Sequence, residues 1–215
     1  MQRDVSGMQG LCTVVEADPT GVTSLSDLNI LNTSAVEPTL AKVTAKNILD
    51  GFKYNKNTGE IELTLPKGVT IQEAGEILNA SAKDRQMEKP VFYTEDKEAW
   101  SKIEANEKTK TEAGKTYKFS VPTDSVDKTR AKQEQDHGTG APLGAIAIAE
   151  ACHRLNTQNE GTLFKDANGN RVWVRGSASG FALSSYSSVG VHVDGYDDVD
   201  RHNLVAFAPL ASSRN

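Results

Sequence analysis

Between positions 192 and 202 the chain reads His-Val-Asp-Gly-Tyr-Asp-Asp-Val-Asp-Arg-His, which places four carboxylates and two imidazoles within eleven residues. A hard cation such as Ca²⁺ is held by several oxygens converging from a turn, and Asp194, Asp197, Asp198 and Asp200 supply that donor type. His192 and Asp194 lie two apart and would share one face of a strand, as a pair of Zn or Fe ligands does. The metal-binding set defined in this way is His192, Asp194, Asp197, Asp200 and His202, for Ca²⁺ or another divalent ion. Its catalytic version is a metal-dependent hydrolase centred on His192, Asp194 and His202. The spacing departs from an EF-hand loop, and no third ligand is fixed beside His192 and Asp194. Asp and Gly also collect in turns between strands without any ion. Residues 166–170, Asp-Ala-Asn-Gly-Asn, have calcium-like types too, but their tight spacing between two apolar runs reads as a hairpin turn.

Two further segments have the residue types of acyl-transfer sites. The His-Gly-Thr-Gly run at 137–140 is similar to part of an oxyanion loop, where consecutive glycines let backbone N–H groups turn towards a substrate oxygen. The Gly-Ser-Ala-Ser-Gly run at 176–180 has the outline of a nucleophile elbow, yet Ala178 stands where that motif requires Ser. A plainer reading makes 137–140 the approach to a helix beginning at Pro142, with Thr139 as its cap. Cys12 and Cys152 fit no metal or redox spacing and are expected as buried free thiols, unless the fold brings them together as a disulfide. Cys152 precedes His153, but neighbouring residues on a helix point in different directions, so adjacency makes no nucleophile and base pair. The chain contains no phosphate loop, dinucleotide fingerprint or zinc ligand set as a linear motif. The enzyme question therefore leans towards no and stays open, because catalytic residues often converge from distant positions.

The charge balance narrows the partners. A formal net charge of -5 and a pI of about 5.4 argue against nucleic acid and anionic membranes, which select an excess of Lys and Arg on one face. Lys102, Lys108, Lys110 and Lys115 are interleaved with Glu and read as a solvated mixed-charge surface. The first twenty residues lack the apolar run of a secretory signal, and no segment reaches the ~18 consecutive apolar residues of a membrane span. The expected location is cytoplasmic, with a virion or a non-classical export route left open.

The elements that must position these residues follow from periodicity. Thr23 or Ser24 caps a turn through Leu25, Leu28 and Ile30, and Pro38 opens a helical stripe of Leu40, Val43, Ala45, Ile48 and Leu49 that ends at Gly51. Phe52 and Tyr54, then Ile61, Leu63 and Leu65, alternate with polar residues around 55–59, which is a hairpin signal. Thr70 and Glu73 form a capping box for a helix with Ile71, Ala74, Ile77 and Leu78 inward. A helix from Thr94 presents Trp100 and Ile103, and 115–121 reads as a strand. Residues 122–141 are the least hydrophobic long stretch and the natural place for a domain boundary or a mobile segment. Residues 142–155 give the most hydrophobic helix, which should be buried, and strands follow around 162–164, 171–175, 181–183, 189–193 and 204–207. The fold class is α+β: a helical N-terminal part with a β-hairpin, then a small antiparallel sheet packed on a buried helix. The boundary falls between 1–137 and 138–215, with one continuous domain as the alternative.

Residues 176–203 are dominated by Ser, Gly, Tyr, Asp, Asn and His. Ser and Gly adapt while Tyr supplies rigid amphipathic area at low entropic cost, so this mixture suits a binding surface, although a plain sheet with polar outer positions gives a similar composition. The run from Arg171 to Leu210 resembles the end of a C-type-lectin-like domain, more narrowly the variable ligand-binding proteins diversified by retroelements. Trp173 matches their Trp-containing strand, 177–203 their polar variable run and 204–209 their closing strand. Ala206-Phe207-Ala208 departs from the Gly-Phe-Arg or Val-Arg pair on which such domains usually close. The resemblance implies a display scaffold with no catalytic role and with protein or glycan ligands. On this reading the ligand-binding surface is Tyr186, Ser187, Ser188, Tyr196, Asp197, Asp198 and Asn203, and the side chains of 184–200 stand out into solvent. The competing functions are a structural or assembly subunit, of a virion or filament, that associates with itself, and the metal-dependent hydrolase.

Overall fold

In this computed structural model residues 42–106, 111–186 and 188–211 are described. The chain divides into Met1–Thr39 and Leu40–Asn215, and the described residues all belong to the second unit. The turn around Ser24, residue Cys12 and residue Ser187 lie outside the described residues.

The change of period at Phe52 builds the first sheet. Asn55 Oδ1 accepts from the N–H groups of Asn57 and Thr58 at 3.0 and 3.4 Å, and Gly59 takes φ 71°, closing the hairpin of β1 (Phe52–Asn55) and β2 (Glu60–Thr64). β3 (Thr116–Phe119) adds to β2 in antiparallel register, opposing Ile61 to Phe119 and Leu63 to Tyr117, and all four side chains are buried. α1 (Ala45–Asp50) is shorter than the stripe from Pro38 implied: Thr44 and Asn47 cap it reciprocally at its start. It stops at Gly51, where a Cβ would lie 2.1 Å from the Thr64 carbonyl oxygen.

The capping box of Thr70 and Glu73 starts α2 (Ile71–Asp84), which buries Ile71, Ala74 and Leu78; Ile77 is only partly buried. Trp100 and Ile103 are buried on α3 (Lys97–Asn106). The helix begins three residues later than Thr94; the Asp96 carbonyl accepts the Trp100 N–H at 2.9 Å and its carboxylate the Val193 N–H at 3.1 Å. Among the described residues no helix is long and apolar enough to cross a membrane.

The stretch 122–141 is ordered. After a short 3-10 turn at Thr123–Ser125, Thr129 caps α4 (Arg130–His137). Leu40–Asn215 forms one compact unit. α5 (Leu143–Asn156) is buried along nearly its whole length and touches α2, α3 and strands of both sheets. The second sheet holds β4 (Trp173–Arg175), β5 (Phe181–Tyr186), β6 (Gly190–Gly195) and β7 (Val205–Phe207) in the order β6-β5-β4-β7. The fold is α+β. The second sheet is mixed rather than wholly antiparallel, since β7 runs parallel to β4. β6 and β7 occupy opposite edges, so residues 196–204 must carry the chain across the sheet.

Glu150 sits within α5 with no exposure. Its Oε2 accepts the Leu163 N–H at 2.8 Å, and burial pushes its carboxyl from 4.5 up to about 7 against the opposing effect of the Ser185 hydroxyl and that N–H. A carboxyl with a raised folded-state pKa favours the native state while protonated. Its contribution is therefore complete below about pH 4.5 and lost as pH climbs through 7, at no more than about 1.4 kcal/mol per pH unit. Urea unfolding between pH 4.5 and 7.5 should show wild-type stability falling relative to Glu150→Gln; parallel curves would contradict the raised pKa.

Candidate recognition face

Alternation along β5 separates two faces. Leu183 packs in the core, and Ser185 Oγ accepts from Arg154 Nη1 of α5, so these point inward. Ala182, Ser184 and Tyr186 take the outer face. Ser184 opposes His192, and Val174 opposes Leu183, which places His192 and Trp173 on the same outer face as Tyr186.

The rings meet there. Trp173 lies edge-on to Tyr186 and to His192, each at 5.9 Å between centroids, and tilted to Tyr196 at 6.4 Å. Tyr93 extends the set beyond His192 at 5.8 Å, and His202 extends it beyond Tyr196 at 6.1 Å. Edge-to-face packing of this kind fixes ring orientation as well as burying area. Trp173, Tyr186, His192 and Tyr196 all remain partly exposed. Two guanidiniums cover ring faces at 5.3 Å, Arg171 over Tyr186 and Arg175 over Tyr196. His192 Nδ1 is 3.3 Å from Asp96 Oδ2. Burial raises the Asp96 pKa, while the Val193 N–H and His192 work in the other direction.

Two buried arginines hold this face in place. Arg175 is fully buried and donates through Nη2 to the carbonyls of Asp197 and Asp200 at 2.6 and 3.3 Å, and through Nη1 to Gln133 Oε1 at 3.3 Å. Arg130, 4% exposed, donates to the carbonyls of Gly176, Ser177 and Ala178 and pairs with Glu134. The backbone of α4 and its approach also engages the crossing segment: the Arg130 N–H donates to the Asp198 carbonyl at 2.9 Å and the Asp127 N–H to that of His202 at 3.0 Å. Asp198 Oδ1 accepts the Gly180 N–H at 3.1 Å, and its other oxygen accepts from the Ser179 hydroxyl.

The sequence-expected residues divide accordingly. Tyr186 and Tyr196 belong to the ring set, while Ser188, Asp197 and Asn203 are exposed around it. Asp198 is tied to Arg130, Ser179 and Gly180 and serves the scaffold. Ser184 and Ser185, and likewise Val191 and Val193, are buried, so the outward presentation expected for 184–200 holds within the strands for Tyr186 and His192, but not for Ser184 on the same face, and otherwise for the residues after Val193. Four of the five metal-binding candidates have protein partners. His192 faces Asp96, Asp194 accepts the Gly195 N–H, Asp197 accepts the Val199 N–H, and His202 Nδ1 accepts the Leu204 N–H at 3.0 Å. Among the described residues no group of three His, Cys, Asp or Glu is placed to hold a metal ion.

The other motifs resolve as structure. Gly140 packs on the backbone of Gly176 and Ser177, where a Cβ would come within 2.5 Å, so the His-Gly-Thr-Gly run is a close crossing of two chain segments. The Asp166 carboxylate accepts the N–H groups of Asn168 and Asn170, closing the expected turn. Cys152 is buried, which drives its thiol pKa upward, and His153 faces Tyr54.

From the sequence, Trp173 stands out only as the Trp of its strand, and Tyr93, Arg171, Arg175, Arg130 and Asp96 do not stand out as parts of this face. The signal for three of them was present, because Arg171, Trp173 and Arg175 alternate with Val172 and Val174 on a strand whose valines face the core. No family model, no curated protein and no solved structure matches this chain.

Arg175→Met leaves the carbonyls of Asp197 and Asp200 without their donor and should cost about 2–5 kcal/mol in urea unfolding. Arg175→Lys should not recover it, since one ammonium cannot span the positions that the guanidinium fork reaches. A wild-type midpoint in either variant would contradict the clamp.

Proposed function

We propose that this protein is a non-catalytic binding protein, and that the outer face of its second sheet presents Trp173, Tyr186, His192 and Tyr196, rimmed by Ser188, Asp194, Asp197 and Asn203, to a protein or glycan ligand. The observation that carries this reading is the set of partly exposed rings, oriented edge-on to one another over a backbone fixed by buried arginines. Tyr and Trp give large contact area at small entropic cost, and polar side chains around them supply hydrogen bonds. Asp194, Asp197 and Asn203 offer side-chain oxygens as acceptors, and Asn203 an amide donor. The likeness of residues 171–210 to C-type-lectin-like ligand-binding proteins supports the same reading: a Trp-bearing strand precedes the polar run, and β7 closes the sheet beside it.

The test is a printed array of neutral and acidic oligosaccharides, with a display library of folded proteins screened in parallel. Trp173→Ala combined with Tyr186→Ala should weaken any ligand so found by at least tenfold, equivalent to about 1.4 kcal/mol, with the circular dichroism spectrum unchanged. Ligands that bind the double variant as tightly as the wild type would contradict the reading.

A further inference from the structure

We propose that a cavity beside this face, between the C-terminal end of α5 and the loop through residue 165, is an anion site, and that the ligand of the face is an acidic saccharide whose carboxylate or sulfate enters it. The inference rests on the binding reading and names its ligand class. The cavity measures about 330 Å³, and Arg154, Lys165 and Arg171 contribute to its lining together with Glu160. That volume accommodates a terminal acid group with attendant water rather than a whole oligosaccharide.

Arg154 is the observation that points to a ligand. Only 1% of it is exposed, and it donates to Ser185 Oγ and to Asn159 Oδ1, yet its buried Nη2 has no hydrogen-bond partner. Buried guanidinium donors are costly to leave unmet, and a planar carboxylate or a sulfate matches their fork. Burial disfavours the Arg154 guanidinium, Glu150, one turn earlier on α5, favours it, and the like charge of Arg171 works against it. An anion in the cavity would meet the cationic residues Arg154, Lys165 and Arg171 that line it, beside the single carboxylate of Glu160.

Arg171 joins the cavity to the rings, since it lines the one and lies 5.3 Å from the centre of Tyr186 in the other. A sugar ring resting on Tyr186 and Trp173 therefore brings an acid group within reach of Arg171, at the mouth that this residue shares with the cavity. Beyond Trp173, residues 194–201 expose one guanidinium, Arg201, and three carboxylates, Asp194, Asp197 and Asp200. The carboxylates accept hydrogen bonds from hydroxyls and repel further anions, which favours one acid group on a hydroxyl-rich ring over a polyacidic peptide.

The experiment is an NMR titration of ¹⁵N-labelled protein at low ionic strength with inorganic sulfate, glucuronate, glucose and tetraglutamate. Sulfate and glucuronate should both shift the amides of 159–171 saturably, glucuronate alone should also shift those near Trp173 and Tyr186, and glucose should leave 159–171 unmoved. Lys165→Ala combined with Arg171→Ala changes two exposed residues and should weaken glucuronate at least tenfold. Absence of saturable shifts, glucuronate binding unchanged in that variant, or tighter binding of tetraglutamate would each overturn the proposal. A ligand captured through Trp173 that is indifferent to Lys165 and Arg171 would remove the anion site and leave the binding reading standing.

Discussion

The arrangement of the outer face depends on guanidinium groups buried among main-chain carbonyls. A charge taken out of water is tolerated only where hydrogen bonds replace its hydration, and Arg130 and Arg175 obtain those bonds mostly from backbone oxygens of two segments. Arg130 fixes the turn between β4 and β5, and Arg175 fixes the crossing between β6 and β7. Both reach Asp198 or its neighbours, and both meet α4, so a stretch of sequence with almost no apolar residues becomes the brace of the sheet. Gln133 completes the brace from the same helix by donating to the Ser125 and Val205 carbonyls. Residues 196–204 thereby gain fixed positions without a hydrophobic anchor at every turn.

The apolar framework beneath is simpler. α5 buries small residues against α2, which lets the helices approach: a Cβ on Gly144 would come within 2.9 Å of Ile71. It packs on strands of both sheets, so the first sheet, the helices and the second sheet share one core. With the inner positions of β5 and β6 taken up by that core, only alternate residues remain for the outside. This is why rings gather on one face while Leu183, Val191 and Val193 stay buried.

Much of the framework was legible in the residues. The Phe52–Ile61 hairpin, the Thr70–Glu73 capping box and the apolar helix after Pro142 each carry a local signal, a period or a cap, and local signals survive folding. Residues 122–141 misled because composition alone cannot show that Arg130 and Gln133 bond to carbonyls some 40 to 70 positions away. The parallel pairing of β7 with β4 was hidden for the same reason, since strand order is a non-local property. For the site, Tyr186 and Tyr196 could be named from composition, but Tyr93 and Asp96 come from a different part of the chain and join only through the fold. In the acidic run 194–200, Asp194 and Asp197 accept the N–H groups of Gly195 and Val199, and Asp198 pairs with Arg130.

Held by Arg130 and Arg175, the crossing segment should be as rigid as the strands it covers before any ligand arrives. Backbone ¹⁵N relaxation of the free protein measures this directly. Order parameters for 196–203 near the value of about 0.85 found for rigid backbone, matching β5 and β6, are the predicted result. Values below about 0.6 across that segment would contradict it.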